Sequence, residues 1–479
     1  MKKYTILFLI FAFGLFTFQS CETKTVAPQV KYTFLFIGDG MGIAQVNTAE
    51  AYMAAMENKP GFRPLTFSGF PVLGWASTYA NNRFITGSAA AGTALATGFK
   101  TNIGRISMNP DGTMPMTTIA EKAKKNGFKT GIITSVSIDH ATPAAFYAHQ
   151  KSRNQYFEIG LDLAASDMDY FGGGGFKKPV SVVAGDTINV FEKARQNGFT
   201  IANSLEAFNE LKPGVGKVIA IAPRLADGAS LPYMIDGNAG NPSLADFTRK
   251  AIELLSDGSG FFIMVEGGKI DWACHGNDAA SSLHETLAFD EAVAVAFEFY
   301  NQHPDETLIV VTADHETGGL ALGNAPMKYE SDISLLEHQK LSSEVFNELV
   351  SDFRNTLTGD KESDFTRMMQ LANDNFGIGD SNRMAITDKE LLHIKSVFNE
   401  SMYGQTEANP DVTYGEYEPL TGLFLQLVSQ KSGLGWTSYS HTGINVPVYA
   451  IGPGAEVFAM VMDNTDIPKN IQKLMRLKE

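Results

Sequence analysis

At 479 residues the chain is longer than one hydrophobic core usually serves, although α/β folds can stretch a single domain this far. Its 44% hydrophobic and 19% charged residues are those of a globular protein and exclude a disordered one. The formal charge of −15 argues against nucleic acid as a partner, and an anionic substrate would need a local positive field from metals or arginine.

The first residues read as a leader. "MKKYTILFLIFAFGLFTFQSCETKT" opens on two lysines, followed by an apolar run from Ile6 to Phe18 that is too short to span a bilayer. Phe-Gln-Ser before Cys21 is a loose form of a bacterial lipoprotein signal. Residues 1–20 are therefore expected to be removed and Cys21 lipidated; an ordinary signal peptide cut nearby is the alternative. Residues 21–30 would form a short tether, and the protein would be exported and lipid-anchored in the bacterial envelope, in the periplasm or at the outer membrane. With Cys21 lipidated, Cys274 has no disulfide partner.

Six short apolar runs are expected to be buried strands: "YTFLFI" (32–37), "KTGIIT" (129–134), "KVIAIA" (217–222), "GFFIMV" (260–265), "TLIVVT" (307–312) and "VPVYAIG" (446–452). Helices are expected between them. "SAAAGTALAT" begins one at Ser88 that runs to about Thr97, and "TTIAEKAKKNG" (117–127) gives an amphipathic one stopping at Gly127. "SLADFTRKAIELLSD" (243–257) has helical apolar spacing, and the mostly apolar run 281–302 reads as a helix packed on two sides. "GGGG" at 172–175 reads as a flexible loop or tight turn. This alternation predicts an α/β fold with a mainly parallel central sheet and helices on both faces. Residues 31–326 and 436–479 would make up the catalytic domain. The more polar stretch 327–435, with capping-box spacing at Thr387 and Glu390, is expected to be a mostly helical insert.

The chemistry gathers after the strands. Asp39 follows the first strand in "YTFLFIGDGMG", and Glu266, Asp271 and His275 follow another in "GFFIMVEGGKIDWACHGND". Asp314 and His315 follow "TLIVVT", and His441 lies just before the last strand. Ligands in open α/β sheets bind at the carboxyl ends of the strands. Any one of these residues could be a helix cap or a hydrogen-bonded loop residue. Together they form a cluster that would repel itself without cations. Imidazole with carboxylate suits zinc; clustered carboxylates with a hydroxyl suit magnesium. Ser88, at a helix N-terminus among small residues, could then be activated as a nucleophile by a metal at Asp39, Asp314 and His315.

The ordered set "GDGMG", "TGSAAAGTALATG", "HATPAAFYAHQKSR", "VEGGKIDWACHGND", "TADHETGG" and "SHTG" resembles the alkaline phosphatase family over about residues 31–325 and again 436–460. The resemblance implies hydrolysis of phosphate monoesters through a phosphoserine at Ser88. It implies one zinc at Asp271, His275 and His441, a second zinc at Asp39, Asp314 and His315, and magnesium at Asp39, Thr142 and Glu266. Arg153 would clamp phosphate oxygens with its planar fork. His149 reads as structural, and Cys274 as a residue packed beneath its loop rather than a ligand. Members are commonly dimeric, so a homodimer is an expectation from the resemblance alone. The chain departs from the best-known bacterial pattern at Gly87, where an Asp commonly precedes the nucleophile, and without that carboxylate Arg153 would be less firmly oriented. It also departs at His140, where that pattern has an Asp near the magnesium, and at Trp272, where it has a Lys after the first zinc aspartate; both changes touch surroundings that tune a metal more than they found its site. A phosphodiesterase or sulfatase of the same superfamily is the nearest rival reading, and "SAAAG" lacks the Pro and Arg of the sulfatase motif.

Overall fold

A computed structural model describes residues 30–238, 240–379, 382–404 and 418–478. The leader and Cys21 lie outside the described residues. Val30, placed in the tether by sequence, is instead buried and its amide donates to the Leu474 carbonyl at 3.3 Å, so the fold has already begun there.

A sheet of ten strands forms the centre. In chain order these are β1 (Tyr32–Gly38), β2 (Val72–Ser77), β3 (Lys129–Thr134), β4 (Tyr170–Gly173), β5 (Phe199–Ala202), β6 (Lys217–Ile221), β7 (Phe261–Gly267), β8 (Thr307–Thr312), β9 (Val446–Ile451) and β10 (Val461–Asp463). Their spatial order is β10-β2-β9-β8-β1-β7-β3-β4-β6-β5. Only β9 runs antiparallel to its neighbours β8 and β2. The middle strands β1, β7 and β8 are buried along their whole length, which is why they read as unbroken apolar runs. Phe34 packs edge-on against Phe261 at 5.0 Å between ring centres, and Phe36 against Phe289 of a covering helix at 5.8 Å.

All six expected strands form, shifted by a residue or two at some ends. The reading missed β2, β4, β5 and β10. β2 is half-exposed next to the sheet edge, and the others have only three or four residues each. The glycine run at 172–175 is a correction. Gly172 and Gly173 end a buried central strand, and Gly173 has φ 129° with room for no Cβ, which would lie 1.8 Å from the Thr134 carbonyl oxygen. Glycine here permits strand contact rather than a mobile loop.

The expected helices are present at Ser88–Thr97, Ile119–Lys125, Leu244–Leu255 and Ala279–Gln302. Capping boxes at Thr118/Glu121 and Ser243/Asp246 fix the start of the second and third. Ala279–Gln302 packs against both Leu244–Leu255 and Ile43–Met56.

The stretch from Ile333 to Lys431 carries helices Ser343–Arg354, Lys361–Phe376, Asp388–Tyr403 and Pro419–Lys431. The Thr387–Glu390 capping box is formed. The chain leaves and returns through a two-stranded clasp in which Ala321–Leu322 pairs with Leu434–Gly435. Phe346, Phe376 and Phe424 of these helices belong to one apolar cluster with the sheet and its covering helices.

Candidate active site

Strand register brings the acidic residues together. Ile37 of β1 stands between Glu266 of β7 and Thr312 of β8, so Asp39, Glu266 and Asp314 emerge side by side at one edge. Thr134, the last residue of β3, pairs with Glu266, and its hydroxyl donates to Glu266 Oε2. Because β9 is antiparallel, the loop that precedes it brings His441 to the same edge.

Ser88 opens the helix Ser88–Thr97, every residue of which is buried. The small side chains serve close packing: a Cβ on Gly92 would lie 3.3 Å from Thr142 Cα and from the Ala145 Cβ. This packing sets the Ser88 helix against the short helix Ala141–Ala144 that carries Thr142. No side chain caps the N-terminus, where Gly87 is extended at φ −137°, ψ 161°. Ser88 Oγ lies 3.4 Å from His315 Nε2.

Among the described residues, donor atoms converge in three groups, each within 4.8 Å: Asp271, His275 and His441; Asp39, Asp271 and His315; and Asp39, His140 and Glu266. In the first, His275 Nε2 is 3.1 Å from His441 Nε2 and 3.4 Å from Asp271 Oδ1. In the second, His315 Nε2 is 3.5 Å from Asp39 Oδ1. Asp314 stands beside this group, its Oδ2 3.1 Å from the same nitrogen. The Thr142 hydroxyl donates to Asp39 Oδ2 at 3.3 Å, next to the third group. One detail differs from the sequence reading: Asp271 is shared between two groups. His140, expected near the magnesium residues, has a ring nitrogen within 4.8 Å of donor atoms of Asp39 and Glu266.

The histidines are aimed from behind. His275 Nδ1 is 2.6 Å from the Tyr439 carbonyl, and His441 Nδ1 is 2.9 Å from the Thr86 carbonyl. Those bonds leave both Nε2 atoms facing the cluster. The Thr317 hydroxyl donates to Asp271 Oδ1 at 2.5 Å. Thr86, Thr317 and Tyr439 escaped the sequence reading because two of the three act through backbone carbonyls, which carry no residue signature.

Electrostatics and orphaned atoms test whether metals fit. Among the described residues, buried oxygens Asp39 Oδ1, Glu266 Oε1, Asp271 Oδ2 and Asp314 Oδ2 accept no well-formed hydrogen bond, His315 Nε2 being near Asp39 and Asp314 only as an ion-pair contact. Burial, then mutual repulsion, pushes the Asp39 carboxyl well above its ordinary value. Burial above all pushes Glu266 to about 7 and Asp314 to about 8. Burial holds His315 well below its ordinary value and lowers His441. Neutral imidazoles and self-repelling carboxylates with open lone pairs are the donor set that divalent cations satisfy.

Arg153 lies in a turn, with its amide donating to the Gly104 carbonyl at 2.8 Å. Its Nη2 is 2.8 Å from His140 Nε2. Burial, then the Arg153 charge, keeps His140 well below its ordinary value, so the ring is neutral and accepts from the guanidinium. Gly87 leaves ordinary contact space, a Cβ there lying 3.9 Å from His441 Cε1. Trp272 sits edge-on to His140 at 5.7 Å. His149 bonds Glu121 Oε1 at 2.8 Å and faces the Ser107 carbonyl at 3.1 Å, away from the metal groups. Cys274 is buried with Sγ 3.2 Å from Ser282 Oγ, and no candidate metal group among the described residues includes it.

Known proteins resemble this chain in sequence and fold. The sequence profile described as Alkaline phosphatase matches residues 30–170 and 222–477. The chain is 31% identical to alkaline phosphatase 3 of Bacillus subtilis (strain 168), over 95% of this chain and 91% of that protein. It is similar in structure to the cold-active alkaline phosphatase of Shewanella sp., with a TM-score of 0.75, 29% identity, and coverage of 93% of this chain and 99% of that one. A variant of alkaline phosphatase TAB5 with Mg bound in its M3 site is 25% identical, with a TM-score of 0.64 and coverage of 95% and 100%. Sequence profile, relatives along nearly the whole chain, fold and metal-ready cluster all agree: the chain belongs to the alkaline phosphatase family and is a hydrolase of phosphate monoesters.

Proposed function

We propose that the chain works with two zinc ions and one magnesium ion, using Ser88 as nucleophile. Asp271, His275 and His441 would hold one zinc. Asp39, Asp314 and His315 would hold the other, with Asp271 alongside. Asp39, Thr142 and Glu266 would hold magnesium, with His140 adjoining. Mg is bound in the M3 site of a TAB5 variant in which a histidine is replaced by glutamate, which supports a magnesium site in a similar fold, although the third donor group of this chain includes His140. Bound there, the metals supply positive charge that offsets the carboxylates and lowers the pKa of a hydroxyl or water.

The chain's own groups do the rest. Ser88 Oγ attacks phosphorus and expels the alcohol; water then cleaves the phosphoserine and frees inorganic phosphate. Arg153, held by neutral His140, presents its fork to two phosphoryl oxygens. The position of the fixed guanidinium favours charge that spreads onto those oxygens in the transition state. The observation that carries this reading is Ser88 Oγ at a buried helix start, 3.4 Å from His315 Nε2. Comparing turnover of an aryl phosphate monoester with that of a diester, before and after chelation, tests it. Chelator-sensitive preference for the monoester is expected; preference for the diester would reject it.

The leader supports export, with Cys21 as lipid attachment point, and a homodimer is proposed from the family resemblance alone. Among the described residues no helix is long and apolar enough to cross a membrane. Release of the protein from membranes by Cys21→Ser would support the anchor.

A further inference from the structure

Lys269 is an unusual residue to find completely buried, at 0% exposure. It begins the helix Lys269–His275, which also carries Asp271, Trp272 and His275. A buried ammonium is costly unless it is paired. Its Nζ donates to Glu344 Oε2 at 3.2 Å and to Ser230 Oγ at 3.2 Å, and lies 3.5 Å from the Tyr233 ring centre. Glu344 lies in the first turn of helix Ser343–Arg354 and is 25% exposed, so the ion pair joins the helical stretch 333–431 to the helix of the metal donors.

Glu344 also reaches sideways. Its Oε1 accepts from the Asp227 amide at 2.9 Å. That anchors the loop whose Gly228, at φ +61°, is pressed on Trp272: a Cβ there would lie 2.8 Å from Trp272 Cη2. Trp272 in turn edges onto His140, which holds Arg153. The same helix start is docked separately, by Ser342 on Asp236 at 2.6 Å and by the Ser343 amide on Asp278 at 2.9 Å.

We propose that Lys269 and Glu344 are positioning residues: their buried ion pair fixes the helix that presents Asp271 and His275, making the helical stretch a structural part of the zinc site. The inference rests on Asp271 and His275 being zinc ligands. Outlying contacts that orient ligands typically change metal affinity by about 10–100-fold when removed. Glu344→Gln leaves Lys269 buried without its counter-charge, and the single amide oxygen can stand in for only one of the two carboxylate oxygens that face Lys269 Nζ and the Asp227 amide.

The test is zinc affinity by competition with a chromophoric chelator, alongside thermal midpoint, for the wild type, three variants and an Asp271→Ala control. Glu344→Gln should weaken one of the two zinc steps by about tenfold or more. Ser342→Ala removes a neighbouring cap of the same helix without touching Lys269, and should lower the thermal midpoint with little change in zinc affinity. Lys269→Arg keeps the charge and should stay within a few-fold of wild type even if Glu344→Gln fails to fold. Unchanged affinity in Glu344→Gln, or equal weakening in Ser342→Ala, would overturn the inference. So would a Lys269→Arg chain that loses zinc as fully as an Asp271→Ala control. A wild type that takes up no zinc would overturn the ligand assignment and this inference with it.

Discussion

Arg153 is bonded to His140, Nη2 to Nε2 at 2.8 Å, and this bond answers the doubt raised by Gly87. With Gly87 rather than a carboxylate beside Ser88, the guanidinium is held by a neutral imidazole that itself belongs to the Asp39–Glu266 group. Arg153→Ala should therefore weaken inhibition by inorganic phosphate by roughly ten- to a hundredfold, the loss of one or two charge-assisted bonds at about 1.5–3 kcal/mol. Metal content should stay the same. Equal phosphate inhibition in the variant would remove Arg153 from the site.

Metal removal should make stability depend on pH. In the metal-free chain the Asp39, Glu266 and Asp314 carboxyls hold protons more tightly folded than unfolded, the latter two near 7 and 8. Their folded values are raised, so the stability they allow is fully present below the ordinary values of 3.8 and 4.5 and is lost as pH rises through about 8. The chelated protein should melt progressively lower from pH 5 to pH 9, and added zinc and magnesium should flatten the trend. A chelated chain whose thermal midpoint ignores pH over that window would contradict the cluster's electrostatics.

The His149–Glu121 pair should act in a different window. Bonding to Glu121 raises His149, though burial opposes it; the same bond lowers Glu121 against its own burial. The His149 contribution is present below its ordinary 6.5 and is lost as pH rises through its folded value. The Glu121 contribution is present above its ordinary 4.5 and lost as pH falls. His149→Phe should thus lower the melting midpoint more at pH 5.5 than at pH 8.5. An equal loss at both pH values would mean that the ring serves only as packing.

Gly173→Ala should be poorly tolerated. The added Cβ would meet the Thr134 carbonyl oxygen at 1.8 Å in a backbone held at φ 129°. Prying β4 from β3 should cost at least about 3 kcal/mol, and because Thr134 also bonds Glu266, metal content should fall as well. A variant that melts within a degree or two of wild type would show that these strands can part at little cost.

Sequence pattern revealed the middle of the sheet and the acidic and histidine residues that gather at its edge, and physics explains what it hid. Buried strands such as Thr307–Thr312 need apolar residues on both faces, so they announce themselves. Val72–Ser77 packs only part of its surface and mixes Gly with Trp, so it has no clear period. Tyr170–Gly173 ends in glycines chosen for close approach, and these read as a turn. Asp39, Asp271 and His315 stood out as residue types in motifs. Their grouping did not, because which oxygen faces which nitrogen depends on strand register and on carbonyls such as those of Thr86 and Tyr439. Glu344 carries no motif at all; only the fold brings it to Lys269.

The central claim is that Ser88 takes the phosphoryl group. The most direct measurement is peptide mass spectrometry after acid-quenching the metal-loaded enzyme during turnover of an aryl phosphate. Phosphate on the peptide containing Ser88, absent in Ser88→Ala while that variant keeps its zinc and loses roughly three orders of magnitude of turnover or more, is the expected result. Full turnover in Ser88→Ala, or phosphate trapped on another residue, would contradict it.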